Sequence, residues 1–104
     1  MNELKQFIIS LGFEYYSGKD KVRYNYIKDN YCYEIYIWDT GMMILYKSDV
    51  GYNYIFDVKD YTRLSKSISI KQTREPNDML EFLHKLFKKE VRLAKLKKVL
   101  VWLL

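Results

Sequence analysis

The first dozen residues follow a helical pattern of apolar and polar positions. Asn2 can cap a helix at its start, and Gly12 stands where a helix C-terminus favours glycine. The pattern therefore predicts a helix over residues 2–11 with one apolar side. Its apolar residues recur every three or four positions: Leu4, Phe7, Ile8 and Leu11.

From Phe13 onward the period changes to two, and Tyr, Ile and Val become frequent, as in half-buried strands. The segments between the first five runs are too short to hold a crossover helix, so neighbouring strands should be antiparallel. The predicted strands lie near residues 13–17, 22–28, 31–38, 42–47, 52–58 and 67–71.

A second helix is predicted over residues 77–104. Pro76 and Asp78 suit its first turn, and neither Gly nor Pro interrupts the residues that follow. A helix of this length would span roughly 42 Å, whereas a seven-residue strand spans about 23 Å. The sheet is therefore too short to cover the far half of this helix.

These elements predict a single α+β domain over residues 1–104. It comprises an N-terminal helix, an antiparallel β-meander of four to six strands, and a long C-terminal amphipathic helix packed on one sheet face. A chain of 104 residues with 49% hydrophobic residues suits one domain with its own core.

The end of the second helix carries a leucine pattern that predicts an oligomer interface. The expected contact residues are Leu93, Leu96, Leu100, Leu103 and Leu104. Exposed to water, they would form an apolar patch, so a homodimer is expected. Trp102 and the nearby cations also fit a membrane-surface helix, although the heavily apolar end of the segment disfavours that interpretation.

The positive charge of the chain is concentrated in the same region. Residues 65–104 carry ten Lys and Arg against four Asp and Glu, and so account for the whole net charge of +5. Four of these cations recur at helical spacing and are termed here the basic ridge: Lys85, Lys88, Arg92 and Lys95. The ridge predicts either a solvated helix face or, as the alternative function, a nucleic-acid interface that contacts phosphates.

The predicted sheet has one uniformly apolar face, which should take the helices. The other face mixes aromatic, aliphatic and charged side chains, and such a mixture is typical of protein-binding patches. We expect a partner surface there, formed by Tyr36, Trp38, Met43 and Leu45. A protein partner is favoured over nucleic acid because Glu34 and Asp57 lie on the same face.

Catalytic and metal-binding chemistry has little support. The chain has one cysteine, Cys32, and one histidine, His84, so we expect no metal site, no cofactor and no enzymatic activity. No signal peptide or membrane span is predicted, and a cytoplasmic location is expected. The sequence thus favours a small non-catalytic binding protein, such as a phage-type inhibitor or adaptor of a host protein.

Overall fold

The computed structural model of the chain describes residues 2–49 and 67–103. Its elements confirm the predicted α+β class, with an N-terminal helix, an antiparallel sheet and C-terminal helical segments. The predicted strand at 52–58 lies outside the described residues. In chain order the elements are α1 (Asn2–Ser10), β1 (Glu14–Ser17), β2 (Lys21–Lys28), β3 (Tyr31–Trp38), β4 (Met43–Asp49), β5 (Ile68–Thr73), α2 (Pro76–Leu86) and α3 (Lys88–Leu103).

The five strands form one sheet in the order β1-β2-β3-β4-β5, and each is antiparallel to the next. Short turns fix the order of the first four strands. The turn after β2 places Asp29 at φ 56°, and the turn after β3 places Gly41 at φ 92°. Both residue types tolerate this left-handed region, which allows the chain to reverse within two or three residues.

Both α1 and α2 pack on one face of this sheet. Tyr24, Ile35 and Leu45 lie side by side across β2, β3 and β4 on that face. Met79 and Leu83 of α2 are fully buried against the same face, with 0% of their surface exposed. The buried core cluster comprises Leu4, Ile8, Leu11, Phe13, Tyr24, Tyr33, Ile35, Ile37, Met43, Leu45, Met79, Leu83 and Phe87.

A glycine turn brings α1 against the edge of this core. Gly12 has φ 102°, and a Cβ atom at this position would lie 3.3 Å from a ring carbon of Tyr26. Glycine both adopts the left-handed conformation and leaves room for the ring. The helix can therefore end directly beside β2.

The single helix predicted over residues 77–104 is divided into two. Phe87 separates α2 from α3 and takes φ −111° and ψ 40°, outside helical geometry. The backbone remains connected on both sides, because the Phe87 N–H donates to the Leu83 oxygen at 2.9 Å and the Val91 N–H donates to the Phe87 oxygen at 3.0 Å. No Gly or Pro marks the interruption, which coincides with the point where the Phe87 ring enters the core.

The burial of Phe87 generates a stability prediction. Phe87→Ala removes a ring that is 0% exposed and should lower the free energy of unfolding by about 3–5 kcal/mol. Leu96→Ala, at a position 54% exposed, should change it by less than about 0.5 kcal/mol. Urea denaturation of both variants measures the difference. A loss of similar size for Leu96→Ala would contradict the exposed placement of that side chain.

Candidate interaction surfaces

The start of α3 is attached to the core by an aromatic cluster. The Phe87 ring lies 5.1 Å from the Tyr33 ring, 5.6 Å from Phe13 and 5.8 Å from Tyr26, measured between centroids, with its plane steeply inclined to each. Edge-to-face contacts of this kind add to the stabilisation from apolar burial. The cluster therefore fixes where the C-terminal helix meets the sheet.

An ion pair strengthens this attachment one turn later. Lys28 at the end of β2 places its Nζ atom 2.8 Å from the Glu90 Oε1 atom, and both side chains are half-buried. Burial raises the pKa of Glu90, but the hydrogen bond and charge of Lys28 outweigh it and leave that pKa below its ordinary value. The hydrogen bond to Glu90 in turn raises the pKa of Lys28. Phe87, Lys28, Glu90 and the partly buried Val91 together form the anchor of α3.

Beyond the anchor, α3 leaves the core. We term residues 92–103 the distal helix; of those from 92 to 101, all are exposed except Ala94, which is half-buried. The predicted far half of the helix is thus left uncovered by the sheet. Its exposed apolar residues are Leu93 (47%), Leu96 (54%), Val99 (54%), Leu100 (51%) and Val101 (72%).

Three of these residues form a stripe that points away from the domain. At about 100° per residue, Leu93, Leu96 and Leu100 lie roughly 140° to 200° around the helix from Val91. Val91 packs against the core, so the leucine stripe (Leu93, Leu96 and Leu100) faces the opposite direction. Leu103 ends α3, and Leu104 lies outside the described residues. The predicted interface residues are therefore brought together as far as the structure describes them.

The distal helix is strongly cationic. It contains Arg92, Lys95, Lys97 and Lys98, and no acidic residue. Within residues 2–49 and 67–103 none of these four forms an ion pair, since the two pairs there are Lys28–Glu90 and Lys85–Glu81. The exposed leucines and unneutralised cations therefore occupy the same short segment.

The basic ridge is exposed along its length but is not one continuous helical surface. Lys85 belongs to α2 and lies 3.4 Å from Glu81, in a pair about 70% exposed on each side. Lys88, Arg92 and Lys95 belong to α3, beyond the interruption at Phe87. An exposed pair of this kind holds Lys85 only weakly, so all four cations can reach an external anion.

The partner surface predicted on the sheet is not assembled as expected. Met43 and Leu45 are 0% exposed and belong to the core, because β4 pairs Met43 with Ile37 and Leu45 with Ile35 on the helix-covered face. The expectation that they share a face with Tyr36 and Trp38 is therefore wrong. Their expected place beside Tyr36 is taken by Ile44, its direct cross-strand partner.

The outer face of the sheet, opposite the helices, is more buried than its sequence indicates. Tyr36 is only 8% exposed and Glu34 is 0% exposed. The Tyr36 hydroxyl donates to the Glu34 Oε2 atom at 3.0 Å. Burial, together with the Glu34 carboxylate, raises the pKa of Tyr36, so the phenol keeps its proton. Tyr36 thus belongs to a buried polar network and is poorly available to a partner.

Lys21 lies at the edge of this buried polar network, over two aromatic rings. Its Nζ atom lies 4.9 Å from the Tyr36 ring centroid and 5.4 Å from the Trp38 ring centroid. The Tyr36 and Trp38 rings are themselves 5.6 Å apart and nearly perpendicular. These cation–π contacts stabilise the two rings, whose faces are already in contact with a cation of the chain itself. Trp38, partly exposed, is the predicted partner residue that remains accessible on this face.

Two further polar side chains on the outer face were not singled out by sequence reasoning. Asn25 is 3% exposed and Ser48 is 2% exposed, and neither side chain has a hydrogen-bond partner within the described part of the chain. A cleft of 240 Å³ borders Asn25, but the amide atoms of Asn25 are themselves buried. Strand alternation alone gives no signal for their burial, because polar residues on one sheet face ordinarily indicate solvent.

His84 and Cys32, the residues with catalytic potential, are packed against other parts of the fold. The His84 ring stacks on the Phe7 ring at 4.2 Å between centroids, and Cys32 is fully buried in β3. Across the described ranges, no three His, Cys, Asp or Glu side chains are grouped closely enough to hold a metal ion. Likewise, none of the described helices is long and apolar enough to cross a membrane.

Comparison with known proteins adds no identification. No protein-family model, no curated protein and no solved structure matches this chain. The candidate surfaces must therefore be judged from their own chemistry, and the distal helix is the one that combines exposure, apolar character and charge.

The anchor generates a pH-dependent prediction. The pKa of Glu90 is lowered from its ordinary 4.5 in the folded chain, so its stabilisation is complete above the unfolded value and is lost as the pH falls through the folded one. Glu90→Gln should lower the free energy of unfolding by about 1–3 kcal/mol at neutral pH, between the values for exposed and buried pairs. The difference from wild type should disappear at a pH well below 4.5.

Urea denaturation across a pH series measures this effect, with Glu81→Gln as the matched control. Glu81 forms the exposed pair with Lys85, and its loss should change stability little at any pH. Equal effects of the two substitutions, or a Glu90→Gln effect that persists in acid, would contradict the anchoring role of Glu90.

Proposed function

We propose that this chain is a non-catalytic binding protein whose docking element is the distal helix. The observation that carries the proposal is the half-exposure of the leucine stripe on a helix that is anchored to the core at its first turn. An exposed apolar surface of this kind is costly in water and is typical of interaction sites. A helix that presents leucines at spacings of three and four residues can dock in a complementary apolar surface.

Self-association through this stripe is the simplest form of such binding, and two physical constraints limit it. The leucine stripe, eight residues from Leu93 to Leu100, measures roughly 12 Å by 10 Å, whereas a stable interface buries about 800 Å² on each partner. Pairing stripe to stripe also brings Arg92 and Lys97 of one copy near the same cations of the other. We therefore expect any homodimer to be weak and to strengthen as salt screens the repulsion.

Light scattering after size exclusion, at low and high salt, tests self-association. The double variant Leu96→Glu, Leu100→Glu should be monomeric under both conditions, because it places carboxylates in the stripe. Val101→Glu changes an apolar residue on another side of the same helix and should behave as wild type. A dimer that survives the double substitution would assign self-association to a different surface.

Nucleic-acid binding by the basic ridge is the second candidate, and the exposure of all four cations favours it. Its weakness is that phosphate binding leaves the leucine stripe in water. If the ridge binds phosphates, Lys88→Gln with Lys95→Gln should reduce the slope of log affinity for single-stranded nucleic acid against log salt by about 0.7 for each phosphate-binding lysine that is replaced.

Titration of a fluorescent single-stranded oligonucleotide over a salt series measures that slope. Lys5→Gln with Lys19→Gln is the control, because it removes the same charge from α1 and from the turn after β1. An equal slope for both double variants would exclude the ridge as the phosphate-binding surface.

A further inference from the structure

We propose that the distal helix docks on an anionic lipid surface, with the leucine stripe among the acyl chains and the flanking cations at the headgroups. This inference rests on the proposed function, since it names the partner of the same element. It draws on three observations of the described residues: the direction of the stripe, the placement of the cations, and the absence of any acidic side chain from the distal helix.

The direction of the stripe leaves it accessible to a flat surface. Val91 and Phe87 hold one side of α3 against the domain, and the stripe lies on the opposite side. The contact of α3 with the core at Val91 therefore leaves the stripe uncovered and open to a partner. The Lys28–Glu90 ion pair at 2.8 Å also holds the first turn of the helix to the end of β2.

Two of the four cations of the distal helix bracket the stripe, and the other two, Lys95 and Lys98, lie on the opposite side of the helix. Taking Val91 as the origin, Arg92 lies about 100° around the helix and Lys97 about 240°, on either side of the leucines. Both are exposed, and their long apolar stems can extend toward a headgroup layer while the leucines enter it. Leucines on one side of a helix with cations beside them allow it to bind in the plane of an anionic membrane surface.

The competing partners each leave one of these features unexplained. A second copy of the chain would oppose like charges, and a nucleic acid would contact the cations but not the leucines. An anionic lipid layer satisfies both at once and offers a uniform plane to cations on both sides of the stripe. The distal helix spans roughly 18 Å, less than the ~30 Å hydrocarbon core, so the contact is with the surface.

The test uses the purified full chain and flotation with lipid vesicles. One set contains phosphatidylcholine alone, and the other contains phosphatidylcholine and phosphatidylglycerol in equal amounts. We expect binding to the anionic vesicles, little binding to the neutral ones, and release at high salt. Binding to both sets alike, or to neither, would overturn the proposal.

The leucine stripe is tested by a matched pair of substitutions on one helix. Leu96→Glu and Val101→Glu introduce the same charge at exposed positions of α3, but only Leu96 lies in the stripe. Leu96→Glu should reduce vesicle binding at least tenfold more than Val101→Glu. Equal effects would show that the stripe does not enter the lipid and would overturn the proposal.

The cations are tested in the same way. Arg92→Gln with Lys97→Gln should weaken partitioning by about fivefold for each cation removed, whereas Lys5→Gln with Lys19→Gln should have a much smaller effect. Equal losses would indicate non-specific adsorption of a basic protein and would contradict the assigned docking surface. Thermal denaturation of every variant confirms that folding is retained.

The failure of this inference is distinguishable from that of the proposed function. If vesicles are not bound but the wild type self-associates through the leucine stripe, the lipid partner is wrong while the docking element stands. If vesicles are not bound and Leu96→Glu changes neither oligomeric state nor any binding, both proposals fail.

Discussion

The burial of Phe87 is the contact on which the arrangement of the C-terminal region depends. Its ring meets three other aromatic rings at 5.1–5.8 Å and closes the core at one end of the sheet. Before it, Met79 and Leu83 face inward and are fully buried. After it, the helix direction and the identity of the inward side are set by Val91 and the Lys28–Glu90 pair. Phe87 therefore lies between α2, which packs on the sheet, and α3, whose distal part is exposed.

The architecture was predictable because each element has a simple local cause. Helical spacing of Leu4 and Ile8 gives α1, and alternation around Tyr33 and Ile35 gives a strand that is buried on its helix-facing side. Short turns leave antiparallel pairing as the available connection. The interruption at Phe87 was not predictable, because it arises from packing against distant rings and no Gly or Pro marks it.

The predicted sheet surface illustrates what alternation cannot decide. Residues 42–46 are apolar at every position, so both faces of that strand look equally suited to the core. Pairing with β3 selects one of them and buries Met43 and Leu45 opposite Ile37 and Ile35. A shift of one residue would reverse the choice. The burial of Glu34 and Asn25 on the other face could not be predicted either. Polar residues on a sheet face ordinarily indicate exposure to solvent.

The exposure of the distal helix was the part of the candidate site that sequence could predict, because the helix is longer than the strands that could cover it. A helix that serves only the core has a polar outer side, but here the outer side carries Leu93, Leu96 and Leu100. A helix that served only to keep the protein in solution would not need exposed leucines. A helix that served only self-association would bring the cations of two copies together, and these would repel each other. Under the proposed function the physical constraint is a joint one: a partner would remove apolar surface from water and supply negative charge on both sides of the stripe, within the same roughly 18 Å of helix. An anionic membrane surface meets both requirements without any cavity or matching shape, which is why the direction of the stripe matters more than its fine packing.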